Sequence, residues 1–375
     1  MDLDLLPGGG ALRAGLRAAL ERAHVPARLD ELMSTAPGYD PTVWAALGRD
    51  GWLARCAPAA VGGGGRATEL AVVAQELGRA RVPSPVQNGV VQSAWAVASV
   101  GPQGQATRHL QGVLDGSTRA ALCLTGPSGS LAPGLLGVTF EHGRLDGVKR
   151  FVPYAGSADV LIVIADGPGD GTTLVRVAAS TSGLSVHTAP SIAGDRQAEV
   201  RFDAVPVAES AIVGQPGRAW NGVRRAMVVG TAALCAEAVG ASAALIERTV
   251  ERAAGRVQFG GPIGAMPAVQ QRCADMAIDH LAAVGALDEA VRAVDAGSAA
   301  EVEVAAAKAA CGTACLRVAA AAHQVWGGTG YLADAGIHHW TRLIKGMDAQ
   351  LGGAHAQRQR LARLLREHDR WSTHP

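Results

Sequence analysis

Aromatic residues are scarce in this sequence, at 4% of 375 residues, and the formal net charge at pH 7 is only +1. No run of lysine or arginine stands out. A nucleic-acid-binding surface normally carries one, so we expect no nucleic-acid partner. Hydrophobic residues make up 48% and charged residues 18%, which excludes a disordered chain and predicts two or three globular domains. Alanine and glycine are abundant instead and favour closely packed helices.

The sequence also lacks paired cysteines at metal-binding spacing and a long apolar run, and we expect no secretory leader. Of six scattered cysteines, Cys311 and Cys315 lie four apart with no second pair at zinc-finger spacing, so we expect buried, reduced thiols. Residues 1–10 contain no basic segment, and no uninterrupted apolar run approaches the ~20 residues of a membrane span. We therefore expect a cytoplasmic protein with no membrane partner.

The period of the hydrophobic pattern divides the chain into three parts. Residues 1–117 show helical periodicity, as in Leu12–Ala23 and Ala67–Ala80. Residues 118–215 break into short β-type runs separated by Gly, Pro, Asp and Ser, which predicts a compact barrel or sandwich of roughly a hundred residues. The predicted strands are Ala120–Thr125, Gly147–Val152, Val160–Ala165, Thr172–Val177 and Glu199–Phe202.

Helical periodicity returns in residues 216–375. An apolar stripe at steps of three and four runs through Ala219–Arg256 without a proline, which predicts a single helix of about 55 Å. Three further helices are predicted at Ala268–Val294, Ala299–Val325 and Asp348–Arg366. Long striped helices with short links form a bundle, so this third part is predicted to be a helical bundle.

Four motifs follow one another along the chain. Residues 122–130 read LCLTGPSGS and residues 149–153 read KRFVP. Residues 256–264 read RVQFGGPIG and residues 324–331 read QVWGGTGY. In this order the motifs resemble the acyl-CoA dehydrogenase family, whose members carry an L-T-E-P-x-A-G-S loop, a G-x-K-x-W-I-T stretch, an R-x-Q-F-G-x-P-I signature and a Q-x-x-G-G-x-G-Y/F segment.

The resemblance covers the whole chain and implies a fold and a cofactor. The implied fold class is α+β, mostly α, with an N-terminal helical domain (1–117), a middle β-barrel (118–215) and a C-terminal four-helix bundle (216–375). The implied assembly is a tetramer or a dimer, with FAD at a subunit interface. Typical relatives pass electrons to an electron-transfer flavoprotein.

The first two motifs imply contacts to the flavin of the same subunit. The residues that match are Leu124, Thr125, Gly129 and Ser130 of the loop, and Phe151 in place of the tryptophan that covers the flavin. Two departures weaken this set. The loop glutamate of the family is Gly126 here, and the threonine of the second motif is Pro153, which has neither a hydroxyl nor an amide donor.

The last two motifs imply contacts to the cofactor of a neighbouring subunit. Arg256 matches the arginine that reaches the pyrophosphate, a role that suits a permanently charged, forked donor. Phe259 matches the phenylalanine near the adenine. Gln324 and Gly328 lie in the glycine-rich segment, where the backbone approaches the neighbour's cofactor.

The glutamate that starts the family's chemistry has no counterpart. Relatives remove a proton next to a thioester with a carboxylate, which in most of them belongs to a Y-E-G-T motif. That motif falls on residues 351–354, where the glutamate is Gly352 and the threonine is Ala354. A minority of relatives place the glutamate on the long bundle helix, at the position of Gly230. The catalytic base is therefore unknown.

Four residues could substitute for the base, and each also has a simpler interpretation. Glu237 lies two turns beyond Gly230, but a glutamate at the edge of a stripe is usually exposed. Asp348 could instead begin a helix. His355 titrates near neutrality but suits a structural or exposed position. Tyr154, with an ordinary pKa of ~10, suits an acid better than a base.

Three functions agree with these observations. The preferred one is a subunit of a heteromeric complex that desaturates an acyl thioester, such as a bulky or steroid side-chain acyl-CoA, with a homologous partner supplying the base. In homo-oligomeric form, the chain could be a self-sufficient FAD-dependent oxidoreductase that acts on a natural-product or carrier-bound intermediate. The third is a non-redox relic of the fold that binds a ligand or partner.

Overall fold

The computed structural model describes residues 10–23, 28–168 and 171–367. Helices dominate before and after a central group of strands. The helices that precede the sheet are α1 (Gly10–Arg22), α2 (Leu29–Ser34), α3 (Pro41–Arg49), α4 (Trp52–Arg55), α5 (Ala67–Arg79), a π-helical segment (Val86–Gln92), α6 (Ser93–Val100) and α7 (Gln103–His109). Those that follow it are α8 (Trp220–Gly255), α9 (Pro267–Asp295), α10 (Glu301–Trp326), α11 (His338–Ala349) and α12 (Ala354–Glu367).

The chain forms two compact units. The bundle unit comprises residues 1–29, 71–82 and 231–375, and the sheet unit comprises residues 30–70 and 83–230. Each unit therefore collects segments that are distant in sequence. The predicted domain boundaries at 117/118 and 215/216 remain a prediction, although all eight strands of the main sheet lie between them.

Small residues let the helices of the bundle unit approach closely. A Cβ atom on Gly240 of α8 would overlap the carbonyl oxygen of Gln75 on α5, and one on Gly78 would overlap the carbonyl oxygen of Glu237. The two helices therefore cross in backbone contact, which only glycine permits at these positions. This confirms the close packing that the Ala- and Gly-rich composition predicts.

Two helical segments, Trp220–Gly255 and Glu301–Tyr331, are long and apolar enough to span a membrane by length and composition alone. The most apolar window of the first is wholly buried inside the protein, and that of the second is mostly buried. Core helices of folded proteins have the same properties. The apolar character of these segments is therefore accounted for by packing.

The sheet unit contains one mixed sheet of eight strands. These are β1 (Ala120–Cys123), β2 (Val138–Glu141), β3 (Arg144–Pro153), β4 (Val160–Asp166), β5 (Thr172–Ala178), β6 (Leu184–Pro190), β7 (Arg196–Pro206) and β8 (Ile212–Val213). Hydrogen bonds join them in the order β6-β7-β3-β2-β4-β5-β8, and β1 pairs in parallel with β4. Side chains from all eight strands meet in one apolar cluster, so the sheet curls around its own core as the predicted barrel does.

The five predicted strands are all present, whereas β2, β6 and β8 were not predicted. The run Val160–Ala165 is buried along its whole length, which explains its unbroken apolar sequence. β6 is largely exposed and β8 has only two residues, so neither leaves a recognisable apolar pattern. The fold class is confirmed: helical segments precede and follow a mixed sheet along the chain.

The predicted last helix, Asp348–Arg366, is wrong at its start. Helix α11 continues to Ala349, and α12 begins only at Ala354. Between them Leu351 and Gly352 have left-handed φ angles of +54° and +88°, which interrupt a right-handed helix. The carboxylate of Asp348 accepts a hydrogen bond from the Ala354 amide at 3.1 Å and so caps the new helix.

Candidate functional site

The first motif, residues 122–130, lies in the sheet unit, and an asparagine from the π-helical segment fixes its start. Asn88 accepts a hydrogen bond from the Leu122 amide (2.7 Å) through Oδ1 and donates one to the Leu122 carbonyl (3.1 Å) through Nδ2. Asn88 is buried, and all of the segment around it is buried as well. This two-point contact fixes the end of β1 immediately before Leu124 and Thr125.

A buried lysine holds the same loop from the other side. The ammonium of Lys149 donates to the carbonyl oxygen of Leu124 at 3.0 Å, and the side chain is 0% exposed. Burial lowers the pKa of Lys149 to about 7, and the nearby Cys123 and Asp166 oppose this shift only in part. The amide of Arg150 donates to the Thr125 carbonyl at 3.1 Å, so two consecutive carbonyls of the loop are fixed.

The turn after Thr125 is closed by its own backbone. The amide of Gly126 donates to the Ser130 carbonyl (2.9 Å), and the amide of Gly129 donates to the Gly126 carbonyl (3.0 Å). Gly129 has φ +82°, a conformation that favours glycine. The hydroxyl of Ser130 accepts from the Ala132 amide at 3.1 Å, which leaves its proton to be donated elsewhere.

Glycine is required at position 126 for steric reasons. A Cβ atom there would overlap the carbonyl oxygen of Leu135, on the return arm of the loop. That arm is fixed by Asp166, which accepts from the Gly134 amide at 2.7 Å and from the Leu136 amide at 3.1 Å. The substitution of glutamate by glycine in this loop is therefore part of a consistent local packing.

The aromatic residue of the second motif stands away from the sheet. The pairing of β3 with β7 shifts register between Lys149 and Val152, and Phe151 in this bulge has φ +55°. Its side chain is 62% exposed. Pro153 follows at the end of β3, half-buried and paired with Gln197. The bulge thus presents one aromatic face to solvent, as the resemblance implies for the residue that covers a flavin.

In the bundle unit, the third motif forms a hairpin at the end of α8. Strands β9 (Val257–Gln258) and β10 (Gly261–Pro262) pair antiparallel, and the amide of Ile263 donates to the Arg256 carbonyl at 2.8 Å. Phe259 and Gly260 form the turn, with φ angles of +54° and +86°. Phe259 is 94% exposed and Arg256 is also exposed.

A pocket of about 490 Å³ lies beside this hairpin. It is lined by Arg248, Glu251, Arg252, Gly255, Arg256 and Trp326. Trp326 ends α10 and lies between Gln324 and Gly328, both of which are exposed. The structure therefore brings the third and fourth motifs together around a basic pocket. Sequence reasoning identified Arg256 there but missed Arg248 and Arg252, although their spacing of four residues along α8 was available as a signal.

The structure places each of the four residues that could replace the missing catalytic glutamate. Glu237 is only 7% exposed, so the expectation of an exposed residue is wrong; the close approach of α5 at Gly78 buries it. Asp348 caps α12, as its simpler interpretation predicts. His355 is exposed, beside Gln359, also as predicted. Tyr154 is buried and packs edge-on against a tyrosine of the N-terminal part.

The two glycines at the family's glutamate positions differ in their surroundings. A Cβ atom on Gly230 would lie 2.7 Å from Cγ of Gln92, so the Gln92 side chain occupies the space that a side chain at 230 needs. Gly352 has more room, since the nearest atom to a Cβ there lies at 3.3 Å. Its φ of +88°, however, is strained for any residue with a side chain.

The donor groups of both units fit the expected dinucleotide. The fixed loop of the sheet unit presents Thr125, Ser130 and an exposed aromatic ring, which suit a planar heterocycle. The pocket of the bundle unit presents three guanidinium groups, which suit a diphosphate.

The six cysteines are free thiols, and all except the half-buried Cys273 are buried. Burial raises the pKa of Cys123, beneath the loop, to about 12. The five buried thiols therefore act as small apolar residues, as predicted.

Comparison with known proteins identifies the family. The model of the acyl-CoA dehydrogenase N-terminal domain matches residues 10–117, and that of the C-terminal domain matches residues 217–365, together more than half of the chain. Acyl-CoA dehydrogenase IpdE2 of Mycobacterium tuberculosis is 29% identical over 344 residues, 89% of this chain and 90% of that protein.

Two solved structures are similar over nearly their whole length. The ChsE4–ChsE5 complex from Mycobacterium tuberculosis matches with a TM-score of 0.86 and 28% identity, covering 98% of this chain and 99% of that one. A variant of the Tcur3481–Tcur3483 steroid ACAD matches with a TM-score of 0.85 and 29% identity, covering 97% and 99%. On the match of the two family models and of these relatives, the chain belongs to the acyl-CoA dehydrogenase family.

Proposed function

We propose that this protein is one subunit of a heteromeric, FAD-dependent acyl-CoA dehydrogenase that introduces an α,β double bond into a bulky acyl thioester, such as a steroid side-chain acyl-CoA. The two similar structures support the proposal, because one is a complex of two different chains and the other is described as a steroid enzyme. We further propose a cytoplasmic location and an electron-transfer flavoprotein as the electron acceptor.

The observation that carries the proposal is a contrast between two sets of family positions in this chain. At the family's glutamate positions the chain has Gly230, whose side-chain space is filled by Gln92, and Gly352, whose φ disfavours any side chain. At the residues that relatives use toward a neighbour's cofactor, by contrast, the chain keeps exposed donors and an exposed phenylalanine. A chain with this pattern completes a partner's site and does not abstract the proton itself.

In this function each residue has a limited task. Arg256 would hold the diphosphate of the partner's cofactor by charge-assisted hydrogen bonds, Phe259 would cover its adenine, and the backbone around Gly328 would approach it. FAD, when bound, supplies the acceptor for the β-hydride of the thioester. The carboxylate that takes the α-proton would come from the partner subunit.

The test is purification of the chain alone and together with homologous products of neighbouring genes. Flavin per protomer is measured by absorbance after denaturation, and dehydrogenation of short, long and steroid side-chain acyl-CoAs is followed with an artificial electron acceptor. We expect the chain alone to carry little FAD and show little activity, and the complex to carry FAD in proportion to the partner. Full flavin occupancy and rapid acyl-CoA oxidation by the isolated chain would disprove the proposal.

A pair of matched variants adds a control. Arg256→Gln is expected to lower the flavin content of the complex without preventing its assembly, since the side chain is exposed and its loss leaves the fold intact. Arg317→Gln removes an exposed arginine that pairs with Asp279 on α9 and lies outside the pocket. The control is expected to leave flavin content unchanged.

One observation favours a second candidate, a self-sufficient flavoenzyme with a different substrate. The flavin loop is fully anchored by Asn88, Lys149 and Arg150, so the backbone needed for a flavin of the chain's own is in place. This candidate predicts bound, reducible FAD in the isolated chain together with indifference to simple acyl-CoAs. The purification experiment above separates the two.

A further inference from the structure

Three arginines lie at the C-terminal end of α8, two of them within the helix and Arg256 directly after its last residue. Arg248, Arg252 and Arg256 are spaced by four residues and all line the pocket beside Trp326. Only Arg256 belongs to a family motif. We propose that Arg252 is a positioning residue that fastens the glycine-rich turn Gly327–Tyr331 to α8, so that turn and helix together form a binding site for the diphosphate of a nucleotide.

Arg252 makes both contacts that such a role needs. Its Nη2 donates to the hydroxyl of Thr329 at 2.7 Å, and this hydroxyl in turn donates to the Trp326 carbonyl at 2.7 Å. The guanidinium carbon lies 4.6 Å from the centroid of the Trp326 ring. One side chain therefore stacks on the last residue of α10 and bonds the turn that follows, 77 residues away in sequence.

The charges around the pocket favour an anion. The Nε atom of Arg252 is enclosed and has no acceptor among the described residues. Arg248 stacks over Trp340 with its guanidinium carbon 4.3 Å from the ring centroid, and burial lowers its pKa. Glu251 is the one acidic residue among those that line the pocket. The pocket thus has three arginines, of which Arg256 is exposed and the other two are partly shielded from water. With Glu251 as the single acid, the lining keeps an excess of positive charge, which a dianionic diphosphate would neutralise.

A purely structural role is the competing explanation. Cations near the C-terminus of a helix interact favourably with its dipole, and stacking on tryptophan stabilises the packing without any ligand. On that explanation, changes at Arg252 alter thermal stability and leave nucleotide affinity unchanged. The two explanations therefore differ in a measurable quantity.

The experiment uses the full-length chain, freed of any bound flavin, and measures ADP affinity by calorimetry and thermal unfolding by fluorescence. ADP contains the diphosphate and adenosine without the flavin. Arg252→Lys keeps the charge but loses the forked, planar donor that holds Thr329, and we expect the loosened turn to lower ADP affinity about tenfold. Thr329→Val keeps the arginine but removes its link to the turn, and we expect a fall in the same direction. Arg317→Lys is the matched control and should bind ADP as the wild type does.

Each other outcome overturns the proposal. If Arg252→Lys lowers the unfolding temperature but not ADP affinity, the role is structural. If Arg252→Lys weakens binding and Thr329→Val does not, Arg252 contacts the nucleotide directly and does not position the turn. If the wild type fails to bind millimolar ADP, the pocket is not a nucleotide site.

The inference rests on the proposed function only for the identity of the nucleotide. Different results would refute the heteromeric function and the positioning role of Arg252. Full FAD occupancy and activity in the isolated chain would refute the heteromeric function. Loss of ADP affinity in both Arg252→Lys and Thr329→Val would still support the positioning role in that case.

Discussion

Replacing Lys149 by methionine tests whether the flavin loop rests on a buried, titrating lysine. The side chain is fully buried, and its pKa falls from the ordinary 10.5 to about 7 because burial disfavours the charged form. At about 1.36 kcal/mol per pH unit, this difference corresponds to about 5 kcal/mol between the two protonation states. Methionine is similar in length and uncharged at every pH, so it removes the titration and largely preserves the packing.

The direction of the pH dependence of stability follows from whether the folded or the unfolded chain binds the proton on Lys149. Between pH 7 and pH 10.5 the unfolded chain keeps the proton on Lys149 and the folded chain loses it, so wild-type stability gains up to about 1.4 kcal/mol per pH unit as pH rises. Below pH 7 both states are charged and the folded state bears the full desolvation penalty. The variant lacks this dependence but also lacks the donor to Leu124, a loss of about 1–3 kcal/mol at all pH values.

The measurement is the free energy of unfolding in urea at pH 6.5, 7.5, 8.5 and 9.5. The free energy of unfolding of the wild type minus that of Lys149→Met should increase by about 3 kcal/mol from the lowest to the highest pH. Lys345→Met, which removes an exposed lysine of α11, is the matched control and should show no such increase. An identical pH dependence for wild type and Lys149→Met would refute the argument that this lysine is desolvated.

Three further predictions concern other parts of the chain. Gly352→Glu should lose about 1–2 kcal/mol of stability relative to wild type, because glutamate is strained at a φ of +88°. The substitution should not confer dehydrogenase activity on the isolated chain. A variant as stable as the wild type would contradict the strain. Asn88→Asp keeps the acceptor for the Leu122 amide but faces the Leu122 carbonyl with a buried charge, so urea unfolding should show a loss of about 2–4 kcal/mol, and wild-type stability would contradict the contact. Native alkylation at pH 8, read by mass spectrometry, should modify Cys273 at most, because the other thiols are enclosed; modification of buried Cys123 before unfolding would contradict the structure.

Periodicity predicted the elements that carry an apolar run or stripe, and it missed strands that are very short or mostly exposed. Val160–Ala165 is enclosed on both faces, so its sequence is unbroken and apolar. β6 is mostly exposed and shows no such run. The break before α12 was missed because the helical stripe resumes on both sides of Gly352, and one left-handed glycine does not disturb a pattern read over a window of eleven residues or more.

From the sequence, only those residues of the candidate site that belong to a family motif could be predicted. Phe151 lies on a bulge of β3 and Arg256 directly follows the end of α8, and their cofactor contacts stay a prediction. The contacts of Asn88 with Leu122 and of Arg252 with Thr329 join residues that are 34 and 77 positions apart. Such pairs depend on how the elements pack, and no local pattern encodes them. Glu237 was misjudged for the same reason, because its burial comes from another helix.

The anchored loop changes what the glycine at position 126 means. If the chain were losing flavin contacts by drift, the bonds that hold the loop backbone would be expected to weaken together with the side chains. Instead Asn88 and Lys149 hold the loop firmly, and Gly126 is required by the approach of Leu135. The local structure is therefore built around the glycine. A loop that keeps a defined backbone beside Thr125 and Ser130 fits a chain that holds a ligand there, and it argues against a relic without any ligand.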